Sequence, residues 1–253
     1  MQILSLPYSS GAQWVRDGWR LIRRQPLGLA AMVVIYMFVQ FVPVSIPLPY
    51  VGVILLGIVS PFVNLGLMGA FREVANTRVP TPMVFAQPLQ NVPVRRVLFR
   101  LGLIHAGLLL LAVVLVRLIV GPPTVPAEDD AVSLENLHLG TFLVFTLVYS
   151  PVIVTMWFAP MLAGWHGLDV GKAMFGSAVA CWRNKGAFVI YGIVMACALF
   201  GVVALSSALI GSLLSTQVMP LFAAPVVLAL TTFVQATFYP MYRSIFAEPA
   251  PAD

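Results

Sequence analysis

Charge is scarce in this sequence: of 253 residues, 9% are charged while 60% are apolar. Soluble domains are about a quarter charged, so this chain lacks the polar residues that a water-facing surface of its size requires. Cysteine is scarce too. Cys181 and Cys197 are too few for a disulfide framework, and both are expected as reduced thiols. Nine acidic residues occur in all, and none falls in the long apolar segments. A proton-coupled transporter would need one there to exchange protons or hold a cation, so that class is disfavoured. The three histidines are expected apart, His105 within the membrane, His138 outside and His166 inside, so axial ligation of a haem or metal by a histidine pair is not supported. There is no HExxH, no GxSxG and no GxxxxGK, and no cluster of acids or basic-partnered histidine suited to lipid phosphates. Neither an enzyme nor a bound cofactor is expected.

What is present is a set of charge-free runs. Between Arg24 and Arg72 no residue carries a formal charge, a length of about 70 Å as helix, whereas one crossing takes about 30 Å. The run must fold back, and PVSIPLPY, with Pro43, Pro47 and Pro49, is where proline ends one helix and begins the next. The same reasoning places spans at 27–42, 51–70, 97–120, 141–165, 187–211 and 218–242, with GPPTVPAEDDAVSLENLHLG after the third and the polar break 212–217 before the sixth. The expectation is an all-α, polytopic bundle of six spans forming a single integral membrane domain.

Lys and Arg accumulate on the cytoplasmic side of membrane proteins. With an inside N-terminus, thirteen of the fourteen basic residues fall on that side and Arg117 alone points out. The outer loop then holds Glu128, Asp129, Asp130 and Glu135. This implies a bacterial inner-membrane protein with both termini cytoplasmic. Topology thereby accounts for the pI near 9.6, and nucleic acid is not an expected partner. A cleaved signal peptide is disfavoured, because no small-x-small site follows Val42 and its removal would put Arg243 on the wrong side.

Residues Gln13 to Arg24 carry the sharpest amphipathic pattern, within a helix expected over 10–25. Trp14, Val15, Gly18, Trp19, Leu21 and Ile22 share one side at 100° per residue, and Gln13, Arg16, Asp17, Arg20, Arg23 and Arg24 the other. With Ser10 as N-cap, this reads as an interfacial helix. Trp14 and Trp19 are expected at the acyl boundary, with Arg16, Arg20, Arg23 and Arg24 against anionic headgroups. A second surface helix, capped by Asp169, carries Val170, Ala173, Met174, Ala178 and Cys181 on one stripe and ends in Trp182, Arg183, Asn184 and Lys185.

The stretch WFAPMLAGWHGLDVGKAMFGSAVACWRNKGAF, with Pro160, Ala173, Ser177 and the Trp182 to Asn184 group, resembles a family of uncharacterised six-span proteobacterial inner-membrane proteins. Trp19 to Pro26 and the first span fit the same family. More distantly, 157–188 is similar to the membrane domain attached to some bacterial glycerophosphodiester phosphodiesterases. That family commonly has an acid in the turn where this chain has His166, so no catalytic residue is implied.

Within the spans the polar candidates are Asn64, His105 and Gln235. Each is expected to bond a neighbouring helix. His105, about 12 Å in from residue 97, is the deepest, and a neutral imidazole held by another helix is its simplest role. Pro61, Pro151 and Pro160 are expected to kink their helices. The functional expectation is a non-enzymatic scaffold or accessory of an envelope component, with membrane lipids and a membrane protein as partners. A transporter or channel component for a small solute or lipid is the alternative.

Overall fold

The computed structural model describes residues 2–48, 50–121, 139–213 and 219–246, which form ten helices. In chain order these are α1 (Ser10–Arg24), α2 (Pro26–Val44), α3 (Val51–Ala75), α4 (Met83–Gln90), α5 (Val92–Val120), α6 (Leu139–Met156), α7 (Ala159–His166), α8 (Val170–Arg183), α9 (Lys185–Leu213) and α10 (Met219–Ile245). Among the described residues, six helical segments are long and apolar enough to cross a bilayer, the fourth being α6 and α7 together, Gly140–His166. The all-α, six-span architecture expected from the charge-free runs is therefore present. The acids Glu128, Asp129, Asp130 and Glu135, His138, and residues 214–217 of the expected polar break lie outside the described residues.

Several boundaries differ from the hydropathy reading, each for a local reason. Helix α5 begins at Val92 rather than 97, because Pro93 falls in the first turn, where its missing N–H costs nothing. His105 therefore sits midway along the helix, about 20 Å from its start. Helix α3 continues past 70 to Ala75, since Phe71 and Val74 are buried. It stops in a Schellman arrangement: Arg78 N–H donates to Glu73 O (2.8 Å) and Thr77 N–H to Val74 O (3.1 Å), with Thr77 left-handed at φ 60°. The connection between α3 and α5 contains the short helix α4. Ser10 is the first residue of α1 rather than its cap. Ser9 precedes the helix without a side-chain cap bond, and Ser10 is buried.

The fourth span is broken, not continuous. The Val154 carbonyl and the Phe158 N–H, an i to i+4 pair, are separated by the hydroxyl of Ser177. Ser177 Oγ accepts from Phe158 N–H (3.0 Å) and donates to Val154 O (2.8 Å), so the ladder stays satisfied through a group from α8. Pro160 then opens α7 in its first turn, and Gly167, left-handed at φ 64°, closes it.

The chain folds into two compact units. One comprises Met1–Val39, Phe62–Val92 and Val179–Asp253. Its centre is α1 packed on α9 and α10. Close approach comes from glycine: a Cβ on Gly11 would collide with the Ala187 carbonyl, and one on Gly18 would lie 2.7 Å from Thr237 Cγ2. The second unit comprises Gln40–Pro61 and Pro93–Ala178. There α3 and α5 touch through a reciprocal glycine pair. A Cβ on Gly57 would collide with Ala106, and one on Gly102 would lie 2.6 Å from Ile58 O. Small residues of this kind let transmembrane backbones meet where no hydrophobic force drives helices together.

Candidate functional site

The polar groups within the spans begin with a proline. Pro61 has no N–H, so the carbonyl four residues earlier, Gly57, loses its helical partner inside a membrane-spanning helix. His105 Nδ1 lies 3.2 Å from that carbonyl, and its Nε2 lies 2.9 Å from the Tyr149 hydroxyl. A carbonyl only accepts, so Nδ1 carries the proton, and Nε2 accepts from Tyr149. This is the hydrogen-bond pattern of a neutral imidazole joining α3, α5 and α6, as expected for His105. The glycine pair beside it brings the backbones near enough for the ring to reach. Pro151 of α6 releases Leu147 O in the same way, and there the adjacent Ser150 hydroxyl donates to it at 2.9 Å.

In the first unit, the buried Tyr191 and Thr237 join α9 to α10 through a 2.9 Å hydroxyl pair, with Thr237 donating onward to Val234 O at 2.7 Å. Asn64 and Gln235, in contrast, are half-buried, and among the described residues neither side chain has a hydrogen-bond partner. Each lies eight residues before the arginine near the basic end of its helix, Arg72 and Arg243.

Helix α1 has the expected apolar face, but for Trp14 that face meets protein instead of lipid. Trp14 is 2% exposed. Its Nε1–H donates to Ser244 Oγ (2.8 Å), and its ring packs edge-on against Phe188 at 5.3 Å. Periodicity identifies which side of a helix avoids water and is blind to whether lipid or another helix receives it. Trp19, on the rim of the face, remains 53% exposed and touches Phe233 edge-on. Arg24 is also engaged: its Nη1 donates to Ala75 O at 3.1 Å, one of the carbonyls that the end of α3 leaves open. Arg20 pairs with Asp17 at 2.9 Å on the exposed side. Arg16 and Arg23 are exposed, without a partner among the described residues.

A clasp invisible in the hydropathy pattern holds the N-terminal segment. Asn184, 1% exposed between α8 and α9, accepts from Leu6 N–H (2.8 Å) and donates to Leu4 O (3.0 Å) and Ala180 O (2.9 Å). Leu4 N–H in turn donates to Ile245 O (2.9 Å), the final carbonyl of α10. Ser177 and Asn184, both members of the stretch that carries the family resemblance, thus act as structural bridges. In the second unit, Arg117 Nη1 donates to the Tyr50 hydroxyl at 2.8 Å. Among the described residues, no group of three His, Cys, Asp or Glu side chains is arranged to hold a metal ion.

Six apolar helices, a proline-released carbonyl satisfied from a neighbouring helix and glycine-mediated contacts define a polytopic α-helical membrane protein. The chain is 29% identical to a Burkholderia thailandensis protein described as a probable inner membrane protein, over 266 aligned residues covering 99% of this chain and 96% of that one. This similarity supports a multi-pass inner-membrane protein. No family model and no solved structure matches the chain.

Proposed function

We propose that this protein is a non-enzymatic scaffold or accessory of an envelope component, seated in the inner membrane with both termini and its Lys- and Arg-rich helix ends in the cytoplasm. One observation carries the reading. The deep polar groups His105, Tyr149, Tyr191 and Thr237 are spent on fixed helix-to-helix bonds, while the amides of Asn64 and Gln235 have no partner among the described residues. An amide facing hydrocarbon is costly, and a helix of a partner membrane protein offers the carbonyls and hydroxyls that would satisfy it. Trp19, Arg16, Arg20 and Arg23 add contact with lipid headgroups. Within 157–188, Ser177 and Asn184 are occupied in structural bridges, which fits a supporting rather than a catalytic role for that stretch.

A photo-crosslinking residue at position 64 or 235, expressed in native membranes, tests the proposal. The expected result is a covalent adduct with a second membrane protein, one that also co-purifies with the unmodified chain. Specific solute flux in vesicles containing only this protein, lost on changing Asn64 or His105, would instead establish the transporter alternative.

A further inference from the structure

Helix α8 buries its small residues and turns its largest ones outward. Ala173, Gly176, Ser177 and Ala180 face the protein, whereas Phe175 and Trp182 are each 73% exposed. Seven residues apart, these two rings lie within about 20° of each other around the helix and about 10 Å apart along it. Lys172 and Arg183, both exposed, form a second line about 80° further round. Lys185 adds a third cation, its ammonium 4.8 Å from the centre of the Trp182 ring. The acid nearby, Asp169, lies 3.7 Å from Lys172 in an exposed pair, which is worth little.

Chain connectivity fixes the level of this helix. The fourth span ends at His166 and the fifth starts at Lys185, so three residues precede α8 and one follows it. Its whole length is therefore held at the membrane surface on the Lys- and Arg-rich side. Two exposed aromatic rings beside a line of cations match an acyl boundary overlain by phosphates: rings enter the upper acyl region and long basic side chains reach the headgroups. Helix α1, the segment whose sequence most resembles a surface anchor, has its Trp14 committed to protein packing.

We infer that the outward face of α8 is the principal lipid-docking surface of this protein, with Phe175 and Trp182 inserted in the leaflet and Lys172, Arg183 and Lys185 binding anionic phospholipid headgroups. The occupant is lipid by charge complementarity and by the position of the helix between two spans.

The full-length protein, reconstituted in vesicles whose lipids are brominated in the upper acyl chain, provides the test. The contribution of each tryptophan to quenching is read as the difference between wild type and the Trp182→Phe or Trp14→Phe variant. Trp182 emission should fall by roughly half or more, with Trp14 emission almost unchanged. In mixed vesicles, brominated phosphatidylglycerol should quench Trp182 more than brominated phosphatidylcholine, and Lys172→Gln/Arg183→Gln/Lys185→Gln should abolish that preference. A Phe175→Trp reporter in the Trp182→Phe background should give the same depth, which keeps the test independent of any one exposed substitution. Unquenched emission at both 175 and 182 would overturn the inference and indicate a face turned to water or covered by protein. Equal quenching by both lipids would overturn its electrostatic half.

Discussion

Replacing His105 with leucine removes two bonds and strands one carbonyl. The bonds to Gly57 O (3.2 Å) and Tyr149 Oη (2.9 Å) are interhelical, and such bonds in membrane proteins average about 0.6 kcal/mol with a maximum near 1.7. The Gly57 carbonyl, already deprived of a helical partner by Pro61, would then have none, a penalty of about 1–3 kcal/mol. A total loss of about 2–4 kcal/mol follows, measurable by reversible unfolding in mixed micelles. Pro61 is the cause of the vacancy, so Pro61→Ala restores an N–H at the position from which helix bonding can reach Gly57. In that background His105→Leu should cost about 1 kcal/mol less, a coupling well above the scatter of independent sites. Tyr149→Phe, which leaves the carbonyl bond intact, should cost the same in either background. If His105→Leu costs the same with and without Pro61, the proline-released carbonyl is not what His105 serves.

Trp14→Ala should destabilise the protein by about 3–5 kcal/mol in the same unfolding measurement, because it empties a packed site and removes the bond to Ser244. Trp19→Ala, at a half-exposed position, should cost much less. Ser177→Ala removes the hydroxyl that bridges Val154 O and Phe158 N–H, and should cost about 1–3 kcal/mol while raising amide exchange at the break between α6 and α7. Burial holds the Cys181 thiol at a pKa of about 12, above its ordinary value. Thiolate is the reactive form, so alkylation of Cys181 in the folded protein should be negligible at pH 8 and should increase only as pH approaches that value. Mass-resolved labelling at several pH values checks this, and rapid modification at neutral pH would contradict the burial.

Much of the architecture was legible because a bilayer imposes a simple rule: a charge-free run must cross, and its length divided by the bilayer thickness counts the crossings. The turn between α2 and α3 and the amphipathic α1 followed from proline placement and helical period. Other features depend on contacts between distant residues. Nothing local marks Ser177 as the insert in the α6–α7 break, or Asn184 as the clamp on Leu4 and Leu6. The Pro61–Gly57–His105 relation was half legible, since a proline in a span always frees the carbonyl four residues back, but its donor could be found only in three dimensions. The assignment of Trp14 to lipid fails for the same reason that the exposed aromatic face of α8 was missed. Both helices combine apolar and basic residues, and packing alone decides which apolar side meets protein.

The functional proposal and the lipid-docking face both require the basic helix ends to lie inside the cell, and sided cysteine labelling measures this directly. With the native cysteines replaced, single cysteines at Leu48, in the turn between α2 and α3, and at the exposed Ser5 and Lys172 are treated with an impermeant thiol reagent on intact cells. The account predicts labelling of position 48 from outside, and of positions 5 and 172 only after permeabilisation. Labelling of position 5 or 172 in intact cells, with protection of position 48, would contradict it.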